Sequence, residues 1–189
     1  MIANKIDMFL ILSLLFIIFS YYVFRIIVKG SYLKHLKLTP ISYLLEILIF
    51  ALHANLAYLT FQTKWPKLPP IPDNLIQRAF AIIFITAGSI ILTFAWIKLG
   101  TKTSLGLGKK KLVASGIYKY SRNPQLTGYG LILLGFLILY FNTFLLLWFL
   151  EYLIIAFFMI KTEEEFLSFK YCEQYREYCK KVPRVFKMK

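Results

Sequence analysis

Three predominantly apolar stretches, residues 8–28, 41–61 and 75–97, constrain this chain more than any other feature. Each is long enough to cross the roughly 30 Å of bilayer hydrocarbon, which takes about 20 helical residues. A fourth apolar stretch, 124–160, is too long for one crossing, and Phe141-Asn142-Thr143 near its middle supplies a polar turn. It reads as a helical hairpin with short arms. The expected fold is therefore all-α and polytopic, with about five transmembrane helices, the last two forming the hairpin. The first stretch exceeds a signal-peptide core and has no small-residue cleavage site after it, so it reads as a mature helix.

Composition supports this reading. A chain of 189 residues that is 59% hydrophobic, with mean hydropathy +0.64, has more apolar surface than a soluble domain of its size can bury. The same figures exclude disorder, and 9 Gly, 7 Pro and 2 Cys exclude collagen and disulfide scaffolds. The chain reads as one membrane domain, 1–189, whose first part, 1–97, holds three of the helices.

The net charge of +14 would suggest nucleic acid in a soluble protein. Here the basic residues fall between apolar runs, so anionic lipid headgroups are the expected counter-charge and nucleic acid is not a partner. Their distribution also sets orientation. Arg25, Lys29, Lys34 and Lys37 lie in the first loop, seven more between Lys98 and Arg122, and eight from Lys161 onward. Only Lys5, Lys64, Lys67 and Arg78 fall on the other side. The positive-inside rule puts the amino terminus outside and the tail in the cytoplasm. Cys172 and Cys179, about 10 Å apart along a helix, are beyond disulfide reach, and no metal site is expected from them.

Beyond the membrane, Thr162 followed by Glu163, Glu164 and Glu165 has the form of a capping box, which predicts a new helix starting there. Leu167, Tyr171, Tyr175, Tyr178 and Val182 recur at helical steps, with basic residues on other faces. This predicts an amphipathic cytoplasmic helix on the membrane interface, ended by Pro183.

Two motifs bracket the hairpin. The first contains Gly116, Tyr118 and Arg122-Asn123-Pro124, with Gly128 four residues after the proline. Asn before Pro is a helix-start signature, so Asn123 either caps its helix or contacts a ligand, and Arg122 is either an interfacial anchor or a binding group. The second runs from Glu163-Glu164 through Tyr175 and Tyr178 to Val182-Pro183-Arg184. A hairpin brings its two open ends together, so the motifs should meet in one site with both charge signs.

These motifs resemble the isoprenylcysteine carboxyl methyltransferases and their phospholipid N-methyltransferase relatives. The resemblance covers roughly the last 75 residues and implies that 98–189 is the cofactor-binding part of an S-adenosylmethionine-dependent methyltransferase acting on a lipophilic membrane substrate. It implies cofactor contacts from Tyr118, Arg122, Asn123, Pro124, Gly128, Glu163, Glu164 and Tyr175, with Arg122, Glu163 and Glu164 nearest the chemistry. Arg122 would pair with the cofactor carboxylate and a Glu with its amino or sulfonium group. This chain has Asn123 where many relatives have His, Leu126 in place of a frequent Tyr, and Cys172 in place of a common Gly.

A second reading is an NADPH-dependent membrane sterol reductase, whose tail resembles Tyr178-Cys179-Lys180-Lys181-Val182-Pro183. Adjacent Glu163 and Glu164 would repel the dinucleotide phosphates. A third is a non-catalytic membrane scaffold. Gly106-Leu107-Gly108 follows no predicted strand and reads as a flexible loop. Glu46, His53 and Glu151 fall inside helices, where each either makes an interhelical hydrogen bond or faces a substrate cavity.

Overall fold

The computed structural model describes residues 2–61, 63, 67–100 and 112–185, with the backbone alone described for 2–6. Gly106-Leu107-Gly108 lies outside the described residues. The chain begins with helix α1 (Ile2–Tyr22), which passes through a π-helical stretch (Val23–Val28) into α2 (Lys29–His35). Then come α3 (Pro40–Leu56), α4 (Leu75–Leu99), α5 (Pro124–Leu139) and α6 (Thr143–Lys181), with a short 3-10 turn (Gly116–Lys119) before α5. Among the described residues, four helical spans are long and apolar enough to cross a membrane: Asp7–His35, Pro40–Leu59, Leu75–Leu99 and Thr143–Lys181. Pro124–Leu139 is a shorter apolar helix, 16 residues or about 24 Å of rise. The protein is an integral membrane protein of the all-α class.

Outward-facing apolar residues such as Leu14, Ile41, Ile76 and Ile97 stay exposed because lipid is their solvent. Inside, packing follows the rules of that solvent, where close backbone approach and polar contacts replace the hydrophobic effect. On α4, Ala81, Gly88 and Ala95 are buried at seven-residue spacing. On α5, Gly128 and Gly135 face them. A Cβ on Gly128 would lie 2.8 Å from the Gly88 carbonyl oxygen, and one on Gly135 would lie 2.9 Å from that of Ala81. Only glycine lets the two backbones come this close.

A second seam joins α3 to α6. His53 Nε2 and the Trp148 carbonyl are 3.0 Å apart, while Trp148 Nε1 donates to the His53 carbonyl at 2.7 Å. The rings stack at 4.8 Å. Of the two readings left open for His53, the interhelical bond holds. Glu151 is also buried and accepts from Ser13 of α1 at 3.4 Å.

The π-helical stretch buries Val23, Phe24 and Val28 and directs Arg25 toward α6. There Arg25 Nη1 donates to Thr162 at 3.0 Å and Nη2 to Glu165 at 2.7 Å. Leu36 in a left-handed conformation ends α2, and Thr39, whose hydroxyl accepts from Ser42, starts α3 with Pro40 at its first position.

Two expectations need correction. No helix begins at Thr162: α6 runs through it, capped instead at Asn142, whose side chain accepts from the Leu145 amide at 2.9 Å. The Thr162 hydroxyl donates to the carbonyls of Phe24 and Phe158, so it joins α6 to the first helix and leaves no amide to cap. The second arm of the hairpin accordingly runs on from Thr143 past Thr162 and is not short. The break falls at Cys172, with φ 45° and ψ −118°, and the turns after it bend back to lay Tyr175, Tyr178 and Val182 against Leu112 and Leu167.

Candidate functional site

The chain segment that enters α5 is stitched to the tail that leaves α6. The Arg122 amide donates to the Pro183 carbonyl at 2.9 Å. Ser121, fully buried, donates to the Arg184 carbonyl at 3.2 Å, and Asn123 Nδ2 donates to the same oxygen at 3.1 Å. Tyr178 closes the junction, its hydroxyl donating to the Tyr118 carbonyl at 2.6 Å. The Asn123 side chain does not cap α5; its amide is committed to the tail.

This stitching sets the charges. Arg122 Nη1 lies 2.9 Å from Glu164 Oε1, 3.4 Å from the Tyr175 hydroxyl and 2.8 Å from Cys179 Sγ. Arg184 grips the same carboxylate from outside, with Nε 3.0 Å from Oε1 and Nη2 2.6 Å from Oε2. Glu164 is therefore held between two guanidiniums, and the pairing with Glu164 raises the Arg184 pKa above its ordinary value. Arg122 and Glu164 are only 13% and 14% exposed, so their attraction is weakly screened. Arg122 Nε is buried without a hydrogen-bond partner, which leaves a donor for a ligand. Burial, and then the charge of Glu163, push the Tyr118 phenol above its usual range, so it stays a neutral hydroxyl.

Arg122, Glu164, Tyr175 and Tyr118 line part of a cavity of about 800 Å³. Tyr118, Arg122, Asn123, Pro124, Glu163, Glu164 and Tyr175, all expected at the site, line it together. From this polar end the walls become apolar, passing between α3 and α4 along Tyr43, Ile47, Phe50, Leu92 and Trp96. Ile47 and Trp96, which belong to two of the membrane-crossing spans, are themselves exposed. The cavity therefore joins an ionic pole to the hydrocarbon side.

Gly128, also expected at the site, is not among the residues lining the cavity, and its small size serves the contact with Gly88. Glu46 and Lys170 line the cavity without having been assigned to the site, and Arg184 completes its ionic pole. Arg184 directly follows Val182-Pro183, a cue in the sequence. For Glu46 the sequence left two readings, an interhelical hydrogen bond or a place facing a substrate cavity, and the structure puts it in the cavity lining.

The arrangement suits a ligand with both charge signs at one end. The zwitterionic methionine end of S-adenosylmethionine fits this donor set: Arg122 Nε, without a partner among the described residues, suits its carboxylate, and the acidic side of the pole suits its amino group. Compared with known protein families, residues 76–174, covering nearly all of α4, all of α5 and α6 to just past its bend, match the phospholipid methyltransferase family. Neither the curated proteins nor the solved structures contain a match to the chain.

Proposed function

Since the chain belongs to the phospholipid methyltransferase family, we propose that it moves a methyl group from S-adenosylmethionine to a lipophilic acceptor that enters between α3 and α4. The observation that carries this reading is one cavity lined both by Arg122 and Glu164, which Arg184 braces from outside, and by the apolar residues of α3 and α4. Its volume of about 800 Å³ falls within the range of about 300–1,000 Å³ typical of small-molecule sites. The family assignment displaces the reductase and scaffold readings.

When bound, the cofactor supplies an electrophilic methyl group on a sulfonium. The protein holds the acceptor in line with that carbon and keeps water out. Arg122 anchors the cofactor carboxylate, while Tyr118, Asn123, Pro124 and Tyr175 wall the pole. Glu164, neutralised by two arginines, is a structural clamp for Arg122. Glu163 is the carboxylate left to receive a proton from an acceptor that must lose one before attack. The distribution of basic residues supports a cytoplasmic setting for this face, with anionic headgroups around it.

Calorimetric titration of the detergent-solubilised protein tests the reading. S-adenosylhomocysteine should bind and NADPH should not. Arg122→Ala removes a charged hydrogen-bond donor worth about 1.5–3 kcal/mol, so affinity should fall about 10- to 100-fold. Transfer of a labelled methyl group into a lipid extract, read by mass spectrometry, identifies the acceptor class. Binding of NADPH alone, or unchanged S-adenosylhomocysteine affinity in Arg122→Ala, refutes the assignment.

A further inference from the structure

Glu46, His53 and Glu151 are buried ionisable side chains of the membrane helices, and their surroundings differ. His53 is tied to Trp148 through Nε2, and Glu151 to Ser13 through Oε2. Glu46, on the second turn of α3, is 7% exposed and its Oε1 is buried without a hydrogen-bond partner. Of the three, only Glu46 lines the cavity. A carboxylate at this depth costs a few kcal/mol unless it is paired, hydrated or neutral.

The cations around it are engaged elsewhere. Arg122 and Arg184 hold Glu164. The Lys170 ammonium lies over the rings of Phe166 and Tyr171, 5.1 and 5.6 Å from their centroids, and 3.4 Å from the Leu36 carbonyl. Glu163 lines the same cavity. Neither acid is in an ion pair among the described residues. The cavity thus presents two acids without a cation between them, at the point where the pole gives way to Tyr43, Ile47 and Phe50 of the same helix as Glu46.

We propose that Glu46 is the acceptor-recognition residue: with Glu163 it binds a cationic amine headgroup at the junction of ionic pole and apolar gap, and so selects amine acceptors over carboxylate ones. This rests on the methyl-transfer reading above. Glu46 is assigned to the acceptor and not to the cofactor because it comes from α3, whose Tyr43, Ile47 and Phe50 supply the apolar lining, while Arg122 and Glu164 come from the entry to α5 and from α6.

The test uses the full chain in detergent, saturated with S-adenosylhomocysteine and titrated with dihexanoyl phosphatidylethanolamine or with N-acetyl-S-farnesylcysteine, a carboxylate amphiphile. The wild type should bind the amine lipid more tightly. Glu46→Gln should weaken that binding about 10- to 100-fold, the span expected for a lost charged hydrogen bond. Glu46→Asp should retain part of it, and both variants should bind S-adenosylhomocysteine as the wild type does, which shows that they are folded. In turnover the loss should fall on KM for the amine lipid and not on kcat. Equal amine-lipid affinity in the wild type and Glu46→Gln, or preference of the wild type for the carboxylate amphiphile, overturns the proposal and leaves methyl transfer standing. Selective loss of S-adenosylmethionine binding over S-adenosylhomocysteine in Glu46→Gln assigns the carboxylate to the sulfonium and also overturns it. A wild type that binds no S-adenosylhomocysteine removes the methyl-transfer reading itself.

Discussion

Replacing Cys172 by glycine should stabilise the protein, although glycine within a helical stretch ordinarily does the opposite. With φ 45° and ψ −118°, the residue occupies a region that a Cβ disfavours and glycine enters freely. Holding a non-glycine residue in such a region costs about 1–3 kcal/mol. Glycine gives back about 0.5–1 kcal/mol through the entropy of the unfolded chain. The thiol is exposed and its one polar contact, to the Phe169 carbonyl, is long at 3.4 Å, so its loss adds little. The net gain is about 1 kcal/mol, or a rise of about 2–4 °C in melting midpoint for a chain of this length. Thermal unfolding in detergent, followed by circular dichroism, measures it, with Cys172→Ala as the control that removes the thiol and keeps the strain. The alanine variant should melt with the wild type. If Cys172→Gly instead lowers the midpoint by the amount glycine costs in a regular helix, the bend is absent and the positioning of Tyr175 and Tyr178 against Arg122 loses its basis.

Gly88→Ala puts a Cβ 2.5 Å from the Gly128 carbonyl oxygen and 2.8 Å from the Ile132 amide nitrogen, backbone atoms that cannot rotate aside. The two helices must separate, at a cost of about 1–3 kcal/mol, seen as a lower melting midpoint; an unchanged midpoint means the helices do not touch there. Trp148→Phe removes the 2.7 Å bond to the His53 carbonyl and leaves a buried acceptor unsatisfied. That should cost about 1–3 kcal/mol in the same assay.

Much of the fold was legible because membrane insertion is decided by local composition. Runs of some 20 apolar residues must become helices, since lipid offers the backbone no other hydrogen-bond partner. Asn142 as the hairpin turn follows equally locally, from a short polar side chain that accepts from an amide three residues on. The meeting of Arg122 with Glu164 was also readable, because a hairpin has no option but to bring its open ends together.

Tertiary structure decided what local signals left open or got wrong. Thr162 has the neighbours of a helix cap, but Arg25 and the Phe24 carbonyl, some 137 residues away in sequence, claim its hydroxyl. Gly128 sits within a ligand-like motif, yet the backbone of α4 dictates its size. Glu46 and His53 lie on one face of one helix, and only the placement of Trp148 makes the second a packing group while the first opens into the cavity. Sequence fixes which segments enter the membrane because each answers to lipid by itself. Which polar atoms stay free for a ligand depends on partners brought in from elsewhere in the chain, and that only the assembled bundle determines.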